Sequence, residues 1–271
     1  NVELKVSYQT DQNPSRFNIT LAFDPSLTNA YVKDVVRESA KLWESVITGD
    51  IADIASFTKP AKRCGDNIDL AMTNEQIDDV LIFVTVRPLD GRGGLIAQGG
   101  TCFTRSTGSL PIISTISIDS ADTVTSFNLR NAVHHELGHA LGIGTLWGLK
   151  GLVNFTQAQL ISGQCGGDPL YKGVNAVREW KELRKTLTGN LSKQDAIPVE
   201  EERRVRLAAC GHWDEAVFDT ELMTPFLEAS GSSEPLSRLT IASLADLGYT
   251  VNYRPAQSYK LPTCSPRCDT V

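Results

Sequence analysis

"HHELGHALGIGTLW", residues 134–147, carries three of the four histidines in a chain of 271 residues and places them within six positions. Wound into a helix at about 100° per residue, "SFNLRNAVHHELGHALG" (126–142) sets His135 and His139 one turn apart on the same face. Leu129, Val133, Leu137, Ala140 and Leu141 gather on the opposite side, which reads as the face toward a core. The two imidazoles therefore face a cleft, where neutral rings one turn apart can ligate one zinc ion. Glu136, displaced from them by one residue's rotation, is placed to hold a zinc-bound water and to accept its proton as general base. The same ion would polarise a carbonyl under attack, so the pattern points to amide hydrolysis. His134 projects about 100° away from His135 and reads as a flanking residue.

A catalytic zinc site commonly has three protein ligands, and the third is missing locally. Residues 140–168 contain no glutamate, and Thr145 stands where a continued motif would carry histidine or aspartate. If the third ligand is a histidine, only His212 remains, in "CGHWDE" (210–215). Gly142, at the helix end, can take the left-handed conformation cheaply and turn the chain beneath the metal. A disulfide between Cys165 and Cys210 would close the intervening segment into an insertion and return residue 212 toward the helix. Met223, in "ELMTP" (221–225), would supply a soft apolar floor if it sits in a tight turn; plain core filling is the competing reading.

Upstream, strand and helix signals alternate. "FNITLAFD" (17–24), "DVLIFVTVRP" (79–88), "GLIAQGGTCF" (94–103) and "IISTISID" (112–119) read as strands. "NAYVKDVVRESAKLWESVIT" (29–48) puts Val32, Val35, Val36, Trp43 and Val46 on one helical face, with Asn29 as N-cap. Downstream the pattern loosens to two helices, 175–187 and 237–248, the latter closed by Gly248. Without a repeat or low-complexity linker, the chain reads as two lobes divided near residue 143.

Hydrophobic residues at 41% and a charged fraction of 21% describe a globular chain, and a net charge of −6 gives no reason to expect nucleic acid or an anionic membrane. The longest apolar runs, such as "VLIFV" (80–84), are too short to span a bilayer. The six cysteines, none in CxxC spacing, suggest disulfides formed in an oxidising compartment. Proximity pairs Cys64 with Cys102, Cys165 with Cys210, and Cys264 with Cys268. Sequons at Asn18, Asn154 and Asn190 fit N-glycosylation and secretion, and the opening "NVELKV" suggests a processed form. Nothing in the sequence sets an oligomeric state.

The stretch 135–142, "GTLW" (144–147), a long insertion, "GHWDEAVFDTELMTP" (211–225) and "PLSRLTIASLADLGYTV" (235–251) together resemble the leishmanolysin family of metzincin zinc proteases. The resemblance implies an α+β, metzincin-like fold. Residues 1–143 would form an N-terminal lobe with a mixed sheet and the active-site helix. Residues 144–271 would form a mainly irregular and helical lobe holding an insertion (144–211), the third ligand and a Met-turn. By resemblance His135, His139 and His212 bind zinc, Glu136 is the base, and Met223 marks the turn. An edge strand at Gly94, Leu95, Ile96, Ala97 and Gln98 would pair with extended polypeptide substrates. Pro225 departs from metzincins that carry an oxyanion-stabilising tyrosine two residues after the methionine. The function implied is a secreted zinc endopeptidase; the alternative is a catalytically silent secreted binding or adhesion module on the same scaffold. The intact Glu136 argues against silence.

Overall fold

The computed structural model describes residues 15–64, 68–123, 127–187, 193–201, 209–228 and 232–262, with backbone alone at 59–64, 68–75, 127 and 186. The chain is α+β with a mixed sheet, and it divides into two compact units, Asn1–Leu141 and Gly142–Val271.

In the first unit, strands β1 (Ile19–Phe23), β4 (Val80–Arg87), β6 (Pro111–Asp119) and β5 (Ala97–Thr104) lie side by side in that order. The first three run parallel, and β5 joins antiparallel at the end of the sheet, with Gly99 opposite Ile116. Both faces of β6 are buried along its whole length, as a parallel strand covered on two sides requires. Helix α1 (Ala30–Val46) starts at Asn29, whose side chain accepts the Val32 N–H, and it buries Val32, Val35, Val36, Trp43 and Val46. Helix α2 (Phe127–Ala140) packs on β5, β6 and α1. A long antiparallel hairpin of β2 (Ile54–Cys64) and β3 (Ile68–Ile77) was not foreseen. Its Phe57 and Ile77 join Leu81, Phe83 and Ile113 in one apolar cluster, and Phe57 meets Phe103 edge-on at 5.5 Å between ring centres. Ile82 and Val84 alternate to the opposite face of β4.

The second unit has less regular structure. Helices α3 (Gln157–Ser162), α4 (Val174–Leu183), α5 (Glu215–Phe218) and α6 (Arg238–Leu247) are joined by turns and a two-residue ladder of β7 (Leu170–Tyr171) with β8 (Ile197–Pro198). A 3₁₀ turn at Arg184–Thr186 replaces the last part of the helix anticipated over 175–187. Fully buried rings form the core: Trp147 lies 4.6 Å from Trp213 and 4.9 Å from Tyr171, centre to centre. Helices α4 and α6 are locked by the Arg238–Glu179 pair, where Nε and Nη2 donate to the two carboxylate oxygens at 2.9 and 3.2 Å. Asp246 of α6 accepts the Asn175 and Ala176 N–H groups at the start of α4. No described helix is long and apolar enough to cross a membrane.

Candidate active site

Helix α2 presents His135 and His139 as its spacing requires. Leu129, Val133, Leu137, Ala140 and Leu141 are buried, and the two rings meet with Nε2 atoms 2.9 Å apart. The helix is pinned along its length. Trp43 Nε1 of α1 donates to the His134 carbonyl at 3.0 Å, and Ser114 Oγ of β6 donates to the Ala140 carbonyl at 2.6 Å. His134 is not on the imidazole face; burial depresses its pKa to about 4, so it stays neutral. Glu136 is buried, and desolvation pushes its carboxyl well above the ordinary range, partly offset by the Gly99 backbone N–H. Gly99 lies so close that a Cβ there would come within 2.6 Å of the Glu136 carbonyl oxygen. Only glycine lets β5 rest on the helix at the level of that glutamate.

The anticipated substrate strand needs correction. Ala97 and Gln98 begin β5, which ends the four-stranded sheet, but Gly94, Leu95 and Ile96 precede it in a loop. Carboxylates shape that loop. Asp119 accepts the Leu89, Asp90 and Gly91 N–H groups, Asp122 accepts that of Gly93, and Asp90 accepts that of Leu95. The Leu95 N–H is thereby committed to a side chain and that of Gly94 to the Gly91 carbonyl, while the Ile96 carbonyl still accepts the Asp119 N–H at 2.8 Å, one last bond to β6 before the chain leaves the ladder.

His212 is positioned by different means. Gly142 and Gly144, directly after α2, have φ of +108° and +72°, so the chain turns sharply there. A Cβ on Gly144 would lie 2.0 Å from the Gly211 carbonyl oxygen, which puts the turn in direct contact with the residue before His212. The Cys165–Cys210 disulfide is present and closes the insertion two residues before His212. Cys102 is also disulfide-bonded. The Cys64 side chain, Cys264 and Cys268 lie outside the described residues, as does Asn190. The His212 carbonyl accepts the Glu200 N–H at 3.0 Å, and the next N–H, of Trp213, donates to the Met223 carbonyl at 3.0 Å. Met223 is fully buried in a turn that is bonded to this segment through that carbonyl. Of the other sequons, Asn18 and Asn154 already bond through their carboxamides, Asn154 donating to the Asp168 carbonyl and accepting the Leu170 N–H.

His135 and His139 in the first unit and His212 in the second are all buried, and histidines are metal-ligating side chains. The donor set fits zinc, since three neutral imidazoles are a known catalytic ligand combination. Two zinc–nitrogen bonds of about 2.0–2.1 Å at a tetrahedral angle separate their nitrogens by about 3.3 Å. The His135–His139 pair needs to open by only a few tenths of an ångström to meet that spacing. A profile of the leishmanolysin proteins matches residues 68–265, most of the chain. The chain belongs to the leishmanolysin family. Leishmanolysin-type proteases are zinc-dependent metalloendopeptidases that act on polypeptides, and the match spans all three histidines, Glu136 and Met223. No curated protein sequence matches the chain.

Motif reading did not single out Gly99, Ser114, Gly144 or Glu221. "GIG" at 142–144 and "GG" at 99–100 were available signals, because paired glycines in otherwise apolar segments mark close backbone approaches. Ser114 and Glu221 carry no such mark; only the fold gives them partners.

Proposed function

We propose that this leishmanolysin-family chain is a secreted zinc endopeptidase, with His135, His139 and His212 holding the ion and Glu136 as general base. The observation carrying the proposal is the His135–His139 pair, its Nε2 atoms 2.9 Å apart on one turn with a buried glutamate between them in sequence. When bound, zinc supplies Lewis acidity, polarising the scissile carbonyl and acidifying water. Glu136 takes the proton from the attacking water and returns it to the departing amine nitrogen, so C–O formation and C–N cleavage balance. Strand β5, at the end of its sheet, offers main-chain groups to an extended peptide, which gives affinity with little sequence selectivity. The Cys165–Cys210 disulfide supports action in an oxidising compartment outside the cytosol.

Digestion of a denatured polypeptide by the purified chain, with and without a chelator, tests this together with Glu136→Ala. We expect chelator-sensitive cleavage, and a variant that retains zinc but loses about 10²–10⁴-fold in rate. Undiminished cleavage by the variant refutes the assignment of Glu136, and cleavage indifferent to chelation refutes the metal.

A further inference from the structure

Glu221 is 1% exposed, and the reaction scheme makes no use of it. Its carboxylate is nonetheless surrounded by donors. Oε2 accepts the Met223 backbone N–H at 2.6 Å. Oε1 accepts the Ser237 N–H at 3.2 Å and the hydroxyls of Ser237 and Thr240, both at 2.5 Å. Thr240 Oγ1 in turn accepts Trp213 Nε1 at 2.8 Å, while the Trp213 backbone N–H donates to the Met223 carbonyl. Three segments far apart in sequence, 212–213, 221–223 and 237–240, are thus fastened to one carboxylate.

Burying a carboxylate costs several kcal/mol unless its lone pairs are filled, and here four donors fill them. Capping α6 does not explain the expense, because Ser237 already supplies the N-cap by accepting the Thr240 N–H. What Glu221 adds is the connection from the α6 N-terminus to the Met223 turn and, through Thr240, to the indole next to His212. Both backbone polar groups flanking the His212 ring position are then fixed: its own carbonyl by Glu200 and the following N–H by Met223.

We propose that Glu221 is a positioning residue for the third metal ligand, holding the Met223 turn and Trp213 so that His212 presents its ring in one orientation. The proposal rests on the zinc reading above. A ligand fixed in advance binds metal without first being ordered; partners bonded directly to a metal ligand are commonly worth about 10–100-fold in affinity, which bounds the effect of Glu221 from above because it acts through Thr240, Trp213 and the Met223 turn.

The test is cobalt(II) titration of the metal-free chain, read by visible absorption, alongside its thermal unfolding. Glu221→Gln keeps the size but sets amide hydrogens against donors. Its cobalt affinity should fall by up to about 10-fold, with altered absorption bands. Thr240→Val keeps the buried volume while cutting the link to Trp213, and should weaken binding in the same direction by a smaller factor. Glu179→Gln, which breaks the Arg238 pair in the same unit, should lower the unfolding temperature and leave the spectrum unchanged. Wild-type affinity and spectrum in both Glu221→Gln and Thr240→Val overturn the proposal, whatever their unfolding temperatures. Should Glu221→Gln not fold, Thr240→Val decides alone, an unchanged spectrum overturning the proposal. A wild-type chain that binds no cobalt overturns the metal centre itself and the positioning role with it. Normal wild-type binding with unaltered variants sinks only the role of Glu221.

Discussion

His135 and His139 owe their placement to one turn of α2, whereas His212 owes its placement to a disulfide, a pair of left-handed glycines and a chain of side-chain bonds. The first arrangement is local. Any sequence that makes the helix makes the pair, and the sheet has only to hold the helix in place through Ser114 and α1 through Trp43. The second is collective, since His212 is fixed only when 144, 165, 200, 221–223 and 240 are all in position. If these histidines bind one ion as proposed, the site should be sensitive to damage mainly through the collective part.

Substitutions can break this contrast in order of severity. Replacing Cys165 and Cys210 together by serine should destabilise residues 142–271 by about 2–5 kcal/mol, measured by denaturant unfolding, with hydrogen-exchange protection of α2 retained. Equal loss of protection in α2 would erase the distinction. Gly144→Ala forces a side chain into the Gly211 carbonyl at a φ that disfavours it, and about 2–3 kcal/mol should be lost. On the helical side, Ser114→Ala removes one bond to the Ala140 carbonyl and should cost only about 1 kcal/mol by thermal unfolding. If Ser114→Ala proves the costlier of these two, the local half is less self-sufficient than claimed.

A further effect concerns pH. Burial pushes the Asp79 carboxyl from 3.8 to about 7, against the pull of the Asn18 and Ile51 N–H groups. The folded chain holds this proton more tightly than the unfolded one. The group's stabilisation is therefore complete below about pH 4 and is lost as pH rises through about 7. Asp79→Asn should flatten that part of the pH dependence of unfolding for residues 1–141, and an unchanged slope would assign it to other groups.

The same contrast explains what could be read from the chain itself. Helix α1 with its Asn29 cap and α2 follow from hydrophobic spacing of 3.6, and strands β4 and β6 from short β-branched apolar runs, neither of which needs distant information. The β2–β3 hairpin escaped because its two strands carry Pro60 and several charged residues, and the register shifts interrupt any clean alternation. Ala97 and Gln98 were legible as strand, but Gly94 to Ile96 were not legible as loop. The turn before them is held by Asp119 and Asp122, which accept the N–H groups of residues 89–91 and 93 from more than twenty residues later. His135, Glu136 and His139 could be picked out from spacing. His212 was reached by elimination and by resemblance, and Glu221 stayed invisible because a buried carboxylate is recognised only by the donors that long-range folding brings to it.

The central claim is that His135, His139 and His212 bind one zinc ion together. Zinc X-ray absorption of the loaded chain, compared with His212→Ala, measures the ligands directly. The account predicts three imidazoles around one zinc per chain, and in the variant either two imidazoles or loss of the metal. An unchanged set of histidine ligands in the folded variant would contradict it.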